Sequence, residues 1–251
     1  MTDSITAILF CGGKGSRLYP ISEYYQKTMM PIGSRGIPAL EMIIQHLKFY
    51  GVKKFVALIG YRANQVRSYF GDGSEYGISI DYITDDPHMK GTGGALLNAR
   101  DYIDSQQLLL YYTDVLSNLN LSKMFEFHQN HSRLGSIFVD PNWKLSNLIV
   151  KKDVNDRVTE TTLQPEGIFV NTSICLMDRK IIEILGEYYQ NHGKVNQIDL
   201  SSDIFPLLAQ EKQLLAYISD DWWFDIGSLK KYQQLDGKFI SSKFSHLDVK
   251  V

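Results

Sequence analysis

Short apolar and β-branched runs alternate along the chain with stretches whose apolar residues recur every three to four positions. Ile5-Thr6-Ala7-Ile8-Leu9-Phe10 reads as a buried strand, and residues 39–50 (ALEMIIQHLKFY) as a helix that stops at Gly51. The unit then repeats. Residues 54–59 (KFVALI) predict a strand, 63–70 a helix, 78–83 an alternating strand, 94–102 a helix, and 108–112 a strand that ends at Thr113-Asp114. This alternation predicts an α/β fold with a doubly wound, mostly parallel, Rossmann-like sheet. Ligands of such sheets sit at the carboxyl ends of the strands, where both Cys11-Gly12-Gly13 and Thr113-Asp114 fall.

From about Gly135 the texture changes. Shorter strands are predicted at 136–139, 148–150 and 168–177, separated by Asn, Asp and Pro, and they read as a smaller mixed-sheet lobe that walls one side of a cleft. Helices are expected at 180–191 and 202–210, a strand at 214–218 and a last helix at 229–238. No internal repeat or linker interrupts the chain, so residues 1–251 are read as one domain with lobes 1–134 and 135–251.

Composition narrows the function classes. The 251 residues are 44% apolar and 22% charged, enough for a sizeable core. The formal charge of −2 gives no basic excess for nucleic acid or an acidic membrane, although a small anion could still meet a local cationic cluster. The two cysteines, Cys11 and Cys175, lie in separate apolar runs, which predicts buried free thiols rather than a disulfide or a zinc site. The opening MTDSITAILF lacks a signal peptide's basic region and long apolar core, and no apolar run approaches roughly 18 residues. A cytoplasmic protein with neither nucleic acid nor membrane as partner is expected.

The chemistry concentrates in Gly12 to Pro31, GGKGSRLYPISEYYQKTMMP, directly after the first strand. Its glycines let backbone N–H groups converge on phosphate oxygens, and Arg17 and Lys27 can neutralise a triphosphate. The run is neither a Walker A loop nor a GxGxxG dinucleotide loop, and taken alone it could be a tight turn. Asp114 alone reads as a turn or cap residue. Asp225, between Trp223-Phe224 and Ile226-Gly227, is less ordinary, because a carboxylate in an apolar run needs a partner or a cation. The aromatic run Trp222-Trp223-Phe224 is assigned to core packing, His46, His128 and His131 to structural or surface roles, and Asp72-Gly73 to a turn.

GGKGSRL-YP with a lysine and a Met-Pro about ten residues later resembles the GGxGTRLxPLT…PKPMxP signature of the sugar-1-phosphate nucleotidylyltransferases. GYRANQVRSYFGDGSEYGISIDY, GTGGAL, VNTSICLM and WWFDIGS are similar, in order, to four further segments of that family, so the likeness spans roughly residues 5 to 235. Its flavour is nearest the enzymes that activate mannose 1-phosphate or heptose 1-phosphate.

The resemblance implies a fold of the nucleotide-diphospho-sugar transferase type and a Mg²⁺-dependent reaction of an NTP with a sugar 1-phosphate that releases pyrophosphate. It also implies roles. Leu9, Gly12, Gly13, Gly15, Ser16, Arg17, Lys27, Gly91, Thr92, Gly93 and Asp114 would hold the nucleotide. Asp114 and Asp225 would hold Mg²⁺, and Arg17, Lys27, Asp114 and Asp225 would carry catalysis. Asn147, Gln164, Asn171 and Asp225 would meet the acceptor. GTP is preferred among the nucleotides, although CTP, UTP and dTTP enzymes share the same loop. No nucleophile from the protein is required, since the acceptor phosphate is already ionised.

The pattern departs at three points. Thr113 stands where the family has Gly, and Gln26 where it has Pro. Leu163-Gln164-Pro165 replaces a Glu-Lys-Pro whose lysine contacts the sugar phosphate. The last change removes a charge-assisted contact, roughly twice as strong as a neutral one, and leaves Lys144, Lys151 or Lys152 as candidates to supply the charge. It keeps two alternatives open: a non-sugar phosphorylated acceptor, or a non-catalytic nucleotide-sugar-binding regulator. The chain ends soon after the last predicted helix, so the β-helix domain that some relatives append for oligomerisation is not expected. A homo-oligomer remains open.

Overall fold

A computed structural model describes residues 5–141, 149–162, 169–193 and 196–247. In chain order its strands are β1 (Ile5–Cys11), β2 (Pro31–Ile32), β3 (Ile37–Pro38), β4 (Lys54–Ile59), β5 (Ser79–Thr84), β6 (Gln107–Tyr112), β7 (Val115–Ser117), β8 (Gly135–Asp140), β9 (Ile149–Lys152), β10 (Val158–Thr162), β11 (Phe169–Asp178), β12 (Leu214–Ile218) and β13 (Trp223–Asp225). The helices are α1 (Ala39–Phe49), α2 (Ala63–Phe70), α3 (Gly91–Asn98), α4 (Leu121–His131), α5 (Ile181–Asn191), α6 (Phe205–Gln210), α7 (Leu229–Tyr232) and α8 (Gly237–Lys243).

Nine strands form one twisted sheet in the order β10-β9-β11-β6-β1-β4-β5, with β8 pairing both β11 and β12. The four strands β5, β4, β1 and β6 are mutually parallel. β11 then runs antiparallel to β6, β8 and β9, which makes the second half the expected mixed sheet. After β1 the chain steps to β4 and β5 on one side and returns to β6 on the other. The strand order therefore reverses between β1 and β6, and their carboxyl ends open a crevice there.

Along β1 the pleat sends Ala7, Leu9 and Cys11 to one core and Ile8 to the other. α1 covers the first face with Leu40, Met42, Ile43, Ile44 and Leu47. It stops where Gly51 takes φ +84° and Val52 N donates to Leu47 O (3.1 Å). α5 and α6 cover the other face with Ile181, Leu185, Phe205 and Leu208.

Three predicted helices have different limits. The one expected at 94–102 begins at Gly91 and ends at Asn98, followed by a separate 3₁₀ turn at Arg100–Tyr102. The one expected at 202–210 starts as a π turn at Leu200–Ile204, because the Asp199 carboxylate accepts from Ser201 N and Ser202 N and caps it early. The last one divides into α7 and α8, since Asp236 Oδ1 accepts from Lys238 N (2.7 Å) and starts a new helix. Both cysteines are buried free thiols. Burial pushes the Cys11 thiol up to about 12, so its ionisation does not suit chemistry at neutral pH. No helix among the described residues is long and apolar enough to cross a membrane.

Candidate active site

A cavity of about 360 Å³ opens at the strand reversal, lined by Phe10 to Gly13 at the end of β1, Gln26 to Thr28, Asp85, Asp86, Met89, the turn at Lys90 to Thr92, Tyr112 and Asp114. Gly12 and Gly13 follow β1 directly. Gly15 takes φ +65° and turns the loop so that Ser16–Leu18 form one 3₁₀ turn, which leaves Ser16 and Arg17 exposed. Leu9 is fully buried in the core, and the cavity lining begins one residue later at Phe10. Gly93 also faces inward: a Cβ there would lie 2.8 Å from Ile198 and 2.9 Å from Leu185, so close packing requires glycine at this position.

Lys27 is aimed by Gln26, which is 1% exposed. The Gln26 amide donates to Cys11 O at the end of β1, and its Oε1 accepts from Thr28 N at 2.6 Å. Gln26 N in turn donates to Gln65 Oε1 at 2.6 Å. These bonds cap the 3₁₀ turn Lys27–Met29 and put Lys27 Nζ 2.6 Å from Asp114 Oδ2. Where proline would merely fix the backbone, glutamine ties the lysine's turn to the sheet. Gln26→Ala is expected to lower kcat about tenfold through misplacement of Lys27, together with a lower Tm. Steady-state kinetics and a thermal melt check both, and an unchanged kcat would remove Gln26 from this role.

Asp114 follows β6, and Asp225 ends β13, which pairs antiparallel with β7 so that Asp225 faces Val115. Ile226 N donates to Asp114 O at 2.7 Å and locks the two segments together. The two carboxylates and Arg17 converge above Gly227. A Cβ on that glycine would lie 2.8 Å from Asp225 Oδ1, 2.9 Å from Asp114 Oδ2 and 3.1 Å from Arg17 Nη2. Asp225 Oδ2 pairs with Lys231 Nζ at 2.6 Å, a cation with no forerunner in the sequence reading. Four predicted residues, Arg17, Lys27, Asp114 and Asp225, therefore stand together.

Two oxygen donors at one point suit a hard divalent cation. Among the described residues no cluster of three His, Cys, Asp or Glu forms a metal cage. The protein would then contribute two carboxylates, leaving the remaining ligand positions to phosphate oxygens and water, as Mg²⁺ accepts.

The turn Gly91–Thr92 closes the far wall. Gly91 takes φ +81°, Gly93 N donates to Ile198 O (2.9 Å), and Thr92 Oγ1 donates to Asp199 Oδ2 (3.0 Å) while accepting from Leu200 N (2.9 Å). Asp199 and Asp85 both line the cavity, and neither stood out in the sequence. The Asp85 carboxylate lies against Gly12 and Gly60, where a Cβ would come within 2.6 Å and 2.1 Å of Oδ2. Partial desolvation there raises its pKa.

Asn171 is 3% exposed on β11, with Oδ1 accepting from Ser173 N (2.7 Å), and it does not line this cavity. Asn147, Lys144 and Leu163-Gln164-Pro165 lie outside the described residues. The other bland assignments agree with the geometry. Trp223 is buried, with Nε1 donating to Asp140 Oδ2 (2.7 Å), and Trp222 packs on Phe239 of α8. Burial lowers the His46 pKa to about 4, and its ring bonds Leu119 O and His246.

A glycine loop and a cluster of two carboxylates with Arg17, Lys27 and Lys231 stand at the reversal point of a parallel sheet, the place where α/β folds of this class take their ligands. The chain belongs to the nucleotidyl transferase family, whose sequence pattern matches residues 6–241. It is 26% identical over 233 residues to the mannose-1-phosphate guanylyltransferase of Mycobacterium tuberculosis, covering 90% of this chain and 62% of that protein. It therefore spans less than two thirds of that relative's length. It is 25% identical over 250 residues to a probable glucose-1-phosphate cytidylyltransferase of Bacillus subtilis, covering 92% and 94% of the two chains. Among solved structures, HddC from Yersinia pseudotuberculosis complexed with GMP-PN matches with a TM-score of 0.75 at 21% identity, over 93% of this chain and 99% of that one. A structure from Bacillus anthracis, solved in complex with a sucrose, matches at 0.81 and 20%, over 96% and 99%. These two likenesses establish the fold.

Proposed function

We propose that this chain joins an NTP, preferentially GTP, to a sugar 1-phosphate in the cytoplasm, giving an NDP-sugar and pyrophosphate. Residues 1–134 carry the nucleotide, and 135–251 the acceptor and the closing helices. The observation that carries this reading is the meeting of Arg17, Asp114 and Asp225 above Gly227, with Lys27 2.6 Å from Asp114.

An oxygen of the acceptor phosphate attacks the α-phosphorus in line, and the bond to the β-bridging oxygen breaks as pyrophosphate leaves. Charge builds on the α-phosphoryl and leaving oxygens. Lys27 and Arg17 neutralise it, and the backbone N–H groups of Gly12 to Ser16 cradle the leaving phosphates. Mg²⁺ held by Asp114 and Asp225 would supply further charge compensation. Alignment and electrostatics account for the catalysis, and no covalent intermediate with the protein forms.

Asp85 supports the guanine preference. A carboxylate only accepts hydrogen bonds, and guanine alone among the common bases presents two adjacent donors, N1–H and N2–H₂, on its pairing edge. Relatives of this chain are named for GTP, CTP and UTP, so relatedness by itself does not select the base.

The test is pyrophosphate release with Mg²⁺ across the four common NTPs and a panel of sugar 1-phosphates, with phosphocholine as the non-sugar control. Turnover with phosphocholine alone would favour the non-sugar reading, which the uncharged Gln164 motivates. No turnover with any pair, beside tight nucleotide-sugar binding, would favour the regulatory one. Asp85→Asn is expected to lower kcat/KM for GTP about 10- to 100-fold and to narrow the gap to UTP. An unchanged GTP-to-UTP ratio would remove Asp85 as the base reader.

A further inference from the structure

The reaction proposed above brings two phosphates to one pair of carboxylates, and each phosphate needs a cation. Lys27 stands on the nucleotide side at Asp114. The other carboxylate holds Lys231, whose Nζ is 2.6 Å from Asp225 Oδ2. The other oxygen of that carboxylate accepts from Gly227 N at 2.6 Å and faces the point shared with Asp114 and Arg17. Lys231 belongs to α7, a single turn capped by Ser228, which begins four residues after Asp225 and so carries the ammonium back over that carboxylate.

An exposed lysine–aspartate pair is worth little by itself, and the ordinary account of Lys231 would be such a pair. The surroundings argue for more. Asp225 is one of two carboxylates at a point where phosphates must also sit, so the local balance is short of positive charge once a phosphorylated acceptor enters. In the sequence, Leu163-Gln164-Pro165 stands where the resemblance expects Glu-Lys-Pro, so that run carries no cation. Lys151 and Lys152 of β9 are engaged within their own hairpin, Lys151 with Glu160 at 2.9 Å and Lys152 with Asp156 at 2.7 Å. Lys231 instead touches Asp225, one of the two carboxylates, and its side chain is 36% exposed.

We propose that Lys231 is the cation that receives the phosphate of the acceptor, supplied from the closing helix. This rests on the transferase reading above. With the acceptor bound, the ammonium bridges Asp225 and the incoming phosphate and holds the attacking oxygen towards the α-phosphorus. Lys27 and Lys231 then divide the work, one cation for each reacting phosphate.

The experiment compares wild type, Lys231→Met and Lys231→Arg in pyrophosphate release, with the KM of NTP and of the sugar 1-phosphate determined separately. Lys231→Met should raise the acceptor KM about 10- to 100-fold with the NTP KM unchanged, and arginine should restore part of the loss. Calorimetric titration of Mg-GTP without acceptor should give the same affinity in wild type and Lys231→Met. An unchanged acceptor KM, or equal rises in both KM values, would overturn the proposal, the second outcome meaning that Lys231 merely holds Asp225 in place. If Lys231→Met does not fold, Lys231→Gln takes its place in the same comparison. Absence of turnover in the wild type counts against the transferase reading, and Lys231 is then judged by titration of inorganic phosphate. Weaker phosphate binding in Lys231→Met upholds the cation site, and equal binding overturns it.

Discussion

Lys27→Ala is expected to lower kcat about 10²- to 10³-fold while the protein melts within a few degrees of wild type. The rate loss follows from the removal of one preorganised charge at the reacting phosphate, a change of the size seen when a single transition-state donor is deleted. The structure makes the loss larger than a simple subtraction. Lys27 and Asp114 form a half-sequestered pair, with side chains 18% and 19% exposed, so the variant leaves Asp114 uncompensated beside Asp225. On the proposed reading two carboxylates would then face the triphosphate with Arg17 as the cation beside them both. Lys27→Arg is not a conservative repair, because a planar fork cannot replace a point charge on the short 3₁₀ turn that Gln26 fixes. The coupling is measurable. Asp114→Asn should itself abolish most turnover, and Lys27→Ala added to it should cost far less than it does alone, since the two groups act as one unit. Single-turnover rates at saturating NTP and Mg²⁺ decide it, and a loss below tenfold for Lys27→Ala would take the residue out of the chemistry.

Much of this site was legible from the chain, and what was not has a physical explanation. The glycine loop and Asp114 could be found because strand ends in a parallel sheet are ligand positions and the strands announce themselves by their apolar runs. Asp225 stood out as a charge in an apolar run, but its seat beside Asp114 depends on β13 pairing with β7, a long-range register that no local pattern specifies. Asp85 and Asp199 were missed for a related reason. Asp85 is an ordinary acidic residue after a strand until β4 and β1 bring Gly60 and Gly12 beneath it. Asp199 becomes part of the cavity only because residues 196–200 pack on the turn at Gly91. Gln26 read as a tolerable departure from proline, while its value lies in bonds to Cys11 and Gln65 that the sequence does not reveal. The last helix was drawn too long because apolar spacing continues across Asp236, whose capping bonds override it.

Gly91→Ala and Gly13→Ala should separate two reasons for a glycine in one site. Gly91 has φ +81°, and a Cβ there would stand 2.2 Å from Ile198 O, a backbone atom that cannot rotate away. Alanine must therefore adopt a strained conformation and also push residues 196–200 off the turn. That breaks the bonds from Gly93 N to Ile198 O and from Leu200 N to Thr92 Oγ1. The combined cost is about 3 kcal/mol or more, equivalent to a fall in Tm of roughly 6–12 °C for a chain of this size. Nucleotide affinity should fall with it, since the same turn forms a wall of the cavity. Gly13 is the opposite case. Its φ lies outside the left-handed region and nothing is within 4 Å of a Cβ built there, so the fold itself has no use for glycine at this position. If the loop exists to let phosphate approach the backbone, Gly13→Ala should leave Tm unchanged within about 1–2 °C, as expected for an unstrained exposed substitution. It should also weaken Mg-NTP binding by roughly tenfold or more, the ligand alone meeting the new methyl. Thermal melts paired with nucleotide titrations on both variants test this. Tight nucleotide binding by a stable Gly13→Ala protein would mean that the triphosphate does not lie on this loop, and the assignment of Gly12 to Ser16 would fall with it.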